Sequence, residues 1–199
     1  MAGKPQFDEE KARQGLVKAF TALGFHGASL SQIEMRTGLQ RSSLYNSFGG
    51  KSALFIEALK DYCQSTELKH LRALEGRGLV EGFRAVFESQ LRDLKDAGSD
   101  AGCLTTCAMN EMPYDDESVQ NAILETVDAV QAAIETRLTS AISSGELRPS
   151  TDVAELRDFL FGATRAIPFL HRSDPSGNAS RHFANGTIKM LLASTESPS

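Results

Sequence analysis

The chain has 199 residues, of which 41% are apolar and 24% are charged, and its net charge is −5. This composition is typical of a soluble globular protein that can bury a sizeable core. No apolar run is long enough for a membrane span, and the N-terminal stretch is not an apolar signal segment. We therefore expect a cytoplasmic protein with no membrane partner.

The charge is distributed unevenly along the chain. Residues 1–55 contain seven Lys and Arg against four Asp and Glu, a net charge of +3, whereas the remaining residues contain 14 against 22, a net charge of −8. A basic first quarter attracts phosphate groups, while the acidic remainder stays away from them. This asymmetry is compatible with DNA binding despite the negative total.

A first helix is predicted from Asp8 to Gly24. Carboxylates fill its opening turn, where the helix dipole favours them. Its apolar residues follow a spacing of three or four: Ala12, Leu16, Ala19, Phe20 and Leu23. This stripe should close over the next two helices.

Two short helices with a sharp turn are predicted next. Ser29 can cap the first of them, and Gln32 completes a capping box, so this helix should begin at Leu30. Gly38 should end it in the left-handed conformation. The second short helix turns Leu44 and Phe48 inward. Its other faces carry a guanidinium, hydroxyls, a phenol and an amide, namely Arg41, Ser42, Ser43, Tyr45 and Asn46.

Such a pair of helices is typical of a helix-turn-helix, and the segment GFHGASLSQIEMRTGLQRSSLYNSFGGKSALF resembles the DNA-binding domain of TetR-family transcriptional regulators. The resemblance covers roughly the first 60 residues closely. It implies that Gly24 and Phe25 end the first helix and that Lys51 starts the fourth. It also places Leu44, Tyr45 and Phe48 in the recognition helix.

Two positions depart from the family pattern. Glu34 stands where alanine is usual, and Gln40 replaces the frequent serine that caps the recognition helix. We expect a weaker cap, with the Gln40 amide still able to bond a backbone N–H.

The polar side chains of this motif are the candidate DNA contacts. We expect base-edge or groove contacts from Arg41, Ser42, Ser43 and Asn46, and phosphate contacts from Ser29, Tyr45 and Lys51. The alternative for each residue alone is a solvated helix face. Their joint spacing favours DNA.

Six further helices are predicted by apolar periodicity, over residues 51–74, 79–95, 103–109, 115–142, 150–170 and 180–193. Met112 and Pro113 should interrupt the chain before the longest of them, and either Ser150 or Thr151 should cap the next. No strand-like alternation is present. The expected architecture is all-α, with nine helices in two domains: a helix-turn-helix domain over 1–52 and a ligand-binding and dimerisation domain over 53–199.

The last two helices are apolar on more than one side, and Gly162, Ala163 and Ala166 permit close approach of another helix. The family resemblance implies a four-helix interface between two copies of the chain. A two-fold homodimer would then read a nearly palindromic operator. The alternative is that these are ordinary core helices.

Two of the three cysteines lie four residues apart after a flexible loop. The positive end of a short helix would make Cys103 a better nucleophile than Cys107, which indicates a sensor of oxidants or electrophiles, or a soft-metal site that uses both thiolates. The alternative is that both are small buried core residues. A disulfide between them is disfavoured by geometry.

A ligand pocket in the second domain would take its lining from Phe83, Phe87, Cys103, Cys107, Met109 and Val127, although an apolar stripe is more often core. His70, His171 and His182 are not spaced as metal ligands, and no catalytic motif is present. We therefore expect neither an enzyme nor a resident cofactor or metal.

The sequence as a whole predicts a DNA-binding regulator, a repressor released from its operator by a small ligand or by thiol modification. The alternative is a helical carrier of small molecules whose helix-turn-helix is only structural.

Overall fold

A computed structural model describes residues 9–98, 102–111 and 116–195. Within these ranges the chain is helical and contains no strand, which confirms the predicted all-α class. The interruption predicted at Met112 and Pro113 lies outside the described residues, as does a helix start at Asp115. None of the described helices is long and apolar enough to cross a membrane.

The first three helices form the predicted motif. α1 spans Glu9–Gly27, α2 spans Leu30–Thr37 and α3 spans Arg41–Phe48. α1 is interrupted at Gly24, whose φ of 72° and ψ of 178° are accessible to glycine almost alone. One further turn therefore follows the predicted end of α1.

The predicted fourth helix is one rod of four segments. α4 (Lys51–Tyr62) passes into a π-helical turn (Cys63–Glu67), then α5 (Leu68–Leu71) and a 3₁₀ turn (Arg72–Leu74). The residues at the junctions keep right-handed helical dihedrals. Single π-helical turns often occur at functional sites.

Five further helices follow the rod: α6 (Leu79–Ala97), α7 (Leu104–Asn110), α8 (Glu117–Ser143), α9 (Val153–Ser173) and α10 (Asn178–Ser194). Counting the segmented rod as one helix, the described residues contain the nine helices predicted. The cap predicted at Ser150 or Thr151 was wrong, because the carboxylate of Asp152 accepts the N–H of Glu155 at 3.0 Å.

Two hydrophobic clusters hold the helices together. One cluster contains residues of the first four helices, of α7 and of the beginning of α8, and it includes Phe20, Leu44 and Phe55. The other joins the later part of the rod with α6, α8, α9 and α10. Thus α7 and the first turns of α8 pack in the same core as the helix-turn-helix.

Candidate nucleic-acid interface and internal cavity

The recognition helix α3 is anchored on one side and free on the other. Leu44 is fully buried and Phe48 is half-buried, which orients the helix against α2 and α4. The opposite side is exposed, and the Arg41 guanidinium lies 5.6 Å from the centre of the Tyr45 ring. All five candidates on this helix are exposed: Arg41, Ser42, Ser43, Tyr45 and Asn46.

The beginning of α3 is capped by a residue that the sequence did not suggest. Gln40 makes no side-chain cap hydrogen bond, so the expectation for its amide was wrong. Instead, the Glu34 carboxylate accepts the backbone N–H of Arg41 at 2.5 Å. A carboxylate at a helix N-terminus is favoured by both the unpaired N–H groups and the helix dipole. The two departures from the family pattern therefore compensate for each other.

Glu34→Ala should lower the free energy of unfolding by about 1 kcal/mol, the usual cost of a lost helix cap. Adding Gln40→Ser restores a side chain that can accept an N–H, so this second substitution should recover most of the loss. Thermal unfolding of the two variants and of Gln40→Ser alone measures the coupling. If Gln40→Ser gives the same change in both backgrounds, the Glu34 carboxylate is not the cap.

The other two candidates for DNA contact lie at helix starts. Ser29 is exposed and forms the predicted capping box, because its N–H donates to Gln32 Oε1 at 2.9 Å and its hydroxyl accepts the Gln32 N–H at 3.4 Å. Lys51 begins α4, as predicted, and its Nζ donates to the carbonyl of His26 at 3.4 Å. Partial burial lowers the pKa of Lys51. Its ammonium also lies 5.1 Å from the Phe25 ring centre.

A cavity of about 350 Å³ lies between α1, the π-helical turn, α5, α6 and α9. This volume is at the lower end of the range for small-molecule sites. Glu67 and Arg165 form a buried ion pair at its wall, joining the π-helical turn to α9. Burial alone would lower the pKa of Arg165, but its electrostatic interactions with Cys103 and Glu67 outweigh this effect and raise the pKa.

Several polar atoms at the cavity wall are buried without a hydrogen-bond partner among the described residues. They include Glu67 Oε2, Gln90 Oε1, Arg165 Nε and Thr21 Oγ1. Gln90 is oriented by its amide nitrogen, which donates to the carbonyl of Thr164 at 3.3 Å. That carbonyl is available because Pro168, four residues later in α9, has no N–H to donate. The wall thus offers both acceptors and donors to a guest.

Among the six predicted pocket residues, only Cys103 lines this cavity. Phe83 and Phe87 are fully buried in the second hydrophobic cluster. Met109 is 42% exposed on α7, and Val127 is half-buried on α8. Periodicity identified these residues as apolar, but core packing and cavity lining give the same pattern.

The two neighbouring cysteines occupy different environments. Cys103 precedes α7 in an extended conformation, and its Sγ lies 3.2 Å from Arg165 Nη1 and 3.6 Å from Glu67 Oε1. Cys107 is inside α7, and its thiol faces the carbonyl of Thr21 at 3.9 Å. Burial is the main reason that the pKa of Cys107 is raised. The two thiols therefore differ in both their neighbours and their position relative to α7.

α7 connects the cavity to the helix-turn-helix. At its C-terminal end, Glu111 Oε2 accepts the N–H of His26 at 3.0 Å. The same carboxylate packs so closely on Gly24 that a Cβ there would lie 1.9 Å from Glu111 Oε1. Nearby, the Ser52 hydroxyl donates to Asp116 Oδ2 at 2.5 Å, and Asp116 caps α8. Two polar contacts thus join α1 and α4 to α7 and α8.

The three histidines lie on different helices, with His70 on α5, His171 on α9 and His182 on α10. His70 is buried and pairs with Asp93, with Nε2 and Oδ2 2.8 Å apart. Burial lowers the pKa of His70, although Asp93 opposes this effect. Over 9–98, 102–111 and 116–195, no three His, Cys, Asp or Glu side chains are grouped as metal ligands would be.

Comparison with known proteins gives relatives over most of the chain. The HTH-type transcriptional regulator YezE of Bacillus subtilis (strain 168) is 26% identical over 173 residues, covering 85% of this chain and 89% of that protein. The HTH-type transcriptional repressor ComR of Escherichia coli (strain K12) is 22% identical over 191 residues, covering 94% and 91%.

The fold is shared with solved regulators. A cysteine mutant of the TetR family transcriptional regulator CifR, complexed with 26-base-pair operator DNA, superposes with a TM-score of 0.82 at 22% identity. The match covers 96% of this chain and 98% of that one. At 22% identity, this similarity supports a shared fold and nothing further.

Two family models match the chain itself. The model of bacterial regulatory proteins of the tetR family matches residues 15–58, which include the whole helix-turn-helix. The model of the tetracyclin repressor-like C-terminal domain matches residues 80–186, more than half of the chain. Both models describe regulators and not enzymes. The chain therefore belongs to the TetR family of DNA-binding transcriptional regulators.

Proposed function

We propose that this regulator is a repressor in the cytoplasm that occupies a nearly palindromic operator as a homodimer. It leaves the operator when a small ligand or a thiol modification acts on its second domain. We place the boundary between the DNA-binding and regulatory domains after residue 52, with the rod that begins at Lys51 connecting them.

The exposed face of α3 is the observation that carries the DNA-binding part of the proposal. This face presents a planar cation, small hydroxyls, a phenol and a carboxamide, and the opposite side of the helix is packed into the core through Leu44. These groups match the donors and acceptors of phosphates and base edges in a major groove. We assign base-edge or groove contacts to Arg41, Ser42, Ser43 and Asn46. Phosphate contacts are assigned to Ser29, Tyr45 and Lys51.

The homodimer is supported by exposed apolar stripes on the last two helices. On α9, Phe159 and Phe169 are 39% and 67% exposed, and Gly162 between them has open space beside it. On α10, Phe183 and Met190 are exposed in the same way around Gly186. Spacings of three, four and seven residues place each set on one helix face. Glycine at the centre of such a face lets a second helix approach closely.

The release step is supported by the position of α7. Cys103, which caps its N-terminus, lines the cavity, and Glu111 at its C-terminus contacts Gly24 and His26 next to the recognition unit. A change at the cavity therefore has a short physical route to the helix-turn-helix. In a dimer, a small rotation of each DNA-binding unit changes the distance between the two α3 helices, so they no longer fit one operator.

A gel shift of the pure protein on the DNA flanking its own gene tests this function. We expect a specific complex that survives excess unrelated DNA and weakens by about a thousandfold or more between 50 and 200 mM salt, since phosphate contacts release counterions. A DNA with only one half-site should bind far more weakly than the full palindrome. A folded protein that binds none of this DNA above its affinity for unrelated DNA would contradict the proposal.

A further inference from the structure

We propose that Cys103 is a reactive thiol that adds small, uncharged electrophiles of the α,β-unsaturated carbonyl class inside the cavity. The inference rests on the proposed function, because it identifies the residue and the chemistry through which a thiol modification would release the operator. It is carried by the arrangement of Cys103, Glu67 and Arg165.

The thiol has an acid–base partner and a cationic partner within reach. Cys103 Sγ is 3.6 Å from Glu67 Oε1, a distance that suits an S–H donor, and 3.2 Å from Arg165 Nη1. A carboxylate can accept the proton of the thiol, and a guanidinium stabilises the thiolate that remains. Thr106 N–H also points at the sulfur, at 3.5 Å. The thiolate is the nucleophilic form of cysteine.

An independent observation indicates that the space beside this thiol accepts a guest. Glu67 is 6% exposed, and its Oε2 has no hydrogen-bond partner in the described part of the chain. Thr21 Oγ1 and Arg165 Nε are buried and unpartnered at the same wall. Unsatisfied buried polar groups are costly, so a bound molecule that pairs with them is favoured. A carbonyl oxygen can accept from the Thr21 hydroxyl or from Arg165 Nε.

The wall also selects the charge of the guest. The buried charges of Arg165 and Glu67 are paired with each other, and the other charged residues at the cavity, Lys18, Asp93 and Asp96, are exposed to water. A charged reagent would enter without a partner charge of its own, at a large desolvation cost. Val17, Leu94 and Pro168 supply apolar surface for the carbon skeleton. A small neutral carbonyl compound satisfies both conditions.

The reaction is an addition in which nothing is oxidised and no group leaves. The S–H proton passes to the Glu67 carboxylate, and the sulfur forms a bond to the β-carbon of the reagent. The electron pair of the carbon–carbon double bond moves toward the carbonyl oxygen, giving an enolate. The proton held by Glu67 is then returned to the α-carbon. The product contains the whole reagent, and its mass rises by that of one reagent molecule.

The other two thiols provide built-in controls. Burial raises the pKa of Cys63 to about 11, and burial also raises the pKa of Cys107. Neither of these cysteines lines the cavity. Both are therefore poorer nucleophiles than a thiol that faces an open space with Glu67 and Arg165 at hand.

An adduct at Cys103 would act on the first turn of α7. Cys103 caps this helix, and the added group would occupy the space where Arg165 meets Glu67. The opposite end of α7 holds Gly24 and His26 through Glu111. A shift of α7 therefore changes the position of α1 relative to the recognition helix.

The test is the site of modification in the intact protein treated with 2-cyclohexen-1-one and analysed by peptide mass spectrometry. We expect Cys103 to react about tenfold or more faster than Cys63 and Cys107. Cys103→Ser should abolish the fast addition, whereas Cys107→Ser should leave it intact. Addition to Cys63 or Cys107 first, or equal rates at all three thiols, would overturn the proposal.

A second variant separates assistance by the ion pair from simple access. Glu67→Gln with Arg165→Met removes both partners together, so no uncompensated charge remains buried. If this variant unfolds cooperatively, its Cys103 should add the reagent about tenfold more slowly, because neither proton acceptor nor cation remains. An unchanged rate would show that Glu67 and Arg165 do not assist.

The effect on DNA is measured on the same samples. The Cys103 adduct should bind the operator about tenfold less tightly than the unreacted protein, within the usual range of coupling between two sites. Untreated protein that fails to bind the operator would contradict the proposed function. Rapid addition at Cys103 with unchanged operator binding would instead contradict only the regulatory part of this inference.

Discussion

Glu67→Ala should lower the free energy of unfolding by about 3–5 kcal/mol, the cost of leaving one member of a buried ion pair without its partner. The Arg165 side chain is only 14% exposed, and its Nε already lacks a hydrogen-bond partner in the described chain. Removing the carboxylate leaves this guanidinium in the cavity wall. For a domain of this size, we expect the midpoint of thermal unfolding to fall by roughly 10 °C.

The matched control is an ion pair of the same type on the surface. Glu135 lies 2.8 Å from Arg157 and is 49% exposed, so Glu135→Ala should cost less than about 1 kcal/mol. The double substitution Glu67→Met with Arg165→Met should recover most of the loss, because it removes both charges. If Glu67→Ala were as mild as Glu135→Ala, the wall of the cavity would be open to water, contrary to the burial of this pair.

The features that sequence predicted well are those encoded within one or two helical turns. The capping box of Ser29 and Gln32, the left-handed Gly38 and the start of α4 at Lys51 all depend on neighbours at most a few residues away. Local hydrogen bonding and glycine conformation decide them. The helix count and the helical motif followed for the same reason.

The cap of α3 was missed because it crosses a turn. Glu34 and Gln40 each depart from the family pattern, but nothing in their spacing indicates that the two departures are connected. The carboxylate of Glu34 reaches Arg41 only because the turn after Gly38 brings the end of α2 next to the start of α3. The loss of a serine cap at Gln40 is thus explained by the carboxylate of Glu34, which caps the same helix.

The cavity was missed for a more general reason. Glu67 and Arg165 are 98 positions apart, and neither belongs to a recognisable motif. Apolar periodicity favoured Phe83 and Phe87, which are core residues, because it records burial and carries no information about empty space. A single charged residue on an otherwise apolar helix face would have been a useful signal. Arg165 is such a residue, because Phe161 four positions before it and Pro168 three positions after it lie on the same face of α9.

Arg41→Ala should reduce affinity for the operator by about 10- to 100-fold, the effect of losing one good contact to a base edge. Arg41 is exposed at the first turn of α3, and its backbone N–H is hydrogen-bonded to Glu34. The position of its side chain relative to the helix is therefore well defined. Because a base contact carries sequence information, affinity for unrelated DNA should fall much less. The measurement is a pair of binding isotherms, on operator and on unrelated DNA, at one salt concentration.

Lys51→Ala provides the contrasting result. Its ammonium lies at the start of α4, and we assign it to phosphate, so operator and unrelated DNA should both bind more weakly and the slope of log affinity against log salt should decrease by about one. Arg148→Ala removes an exposed cation from the loop between α8 and α9, and it controls for the loss of charge alone.

An equal loss of affinity for operator and for unrelated DNA in Arg41→Ala would assign Arg41 to a phosphate contact as well. The specificity of α3 would then depend on Ser42, Ser43 and Asn46, whose short side chains require the backbone of the helix to lie closer to the bases.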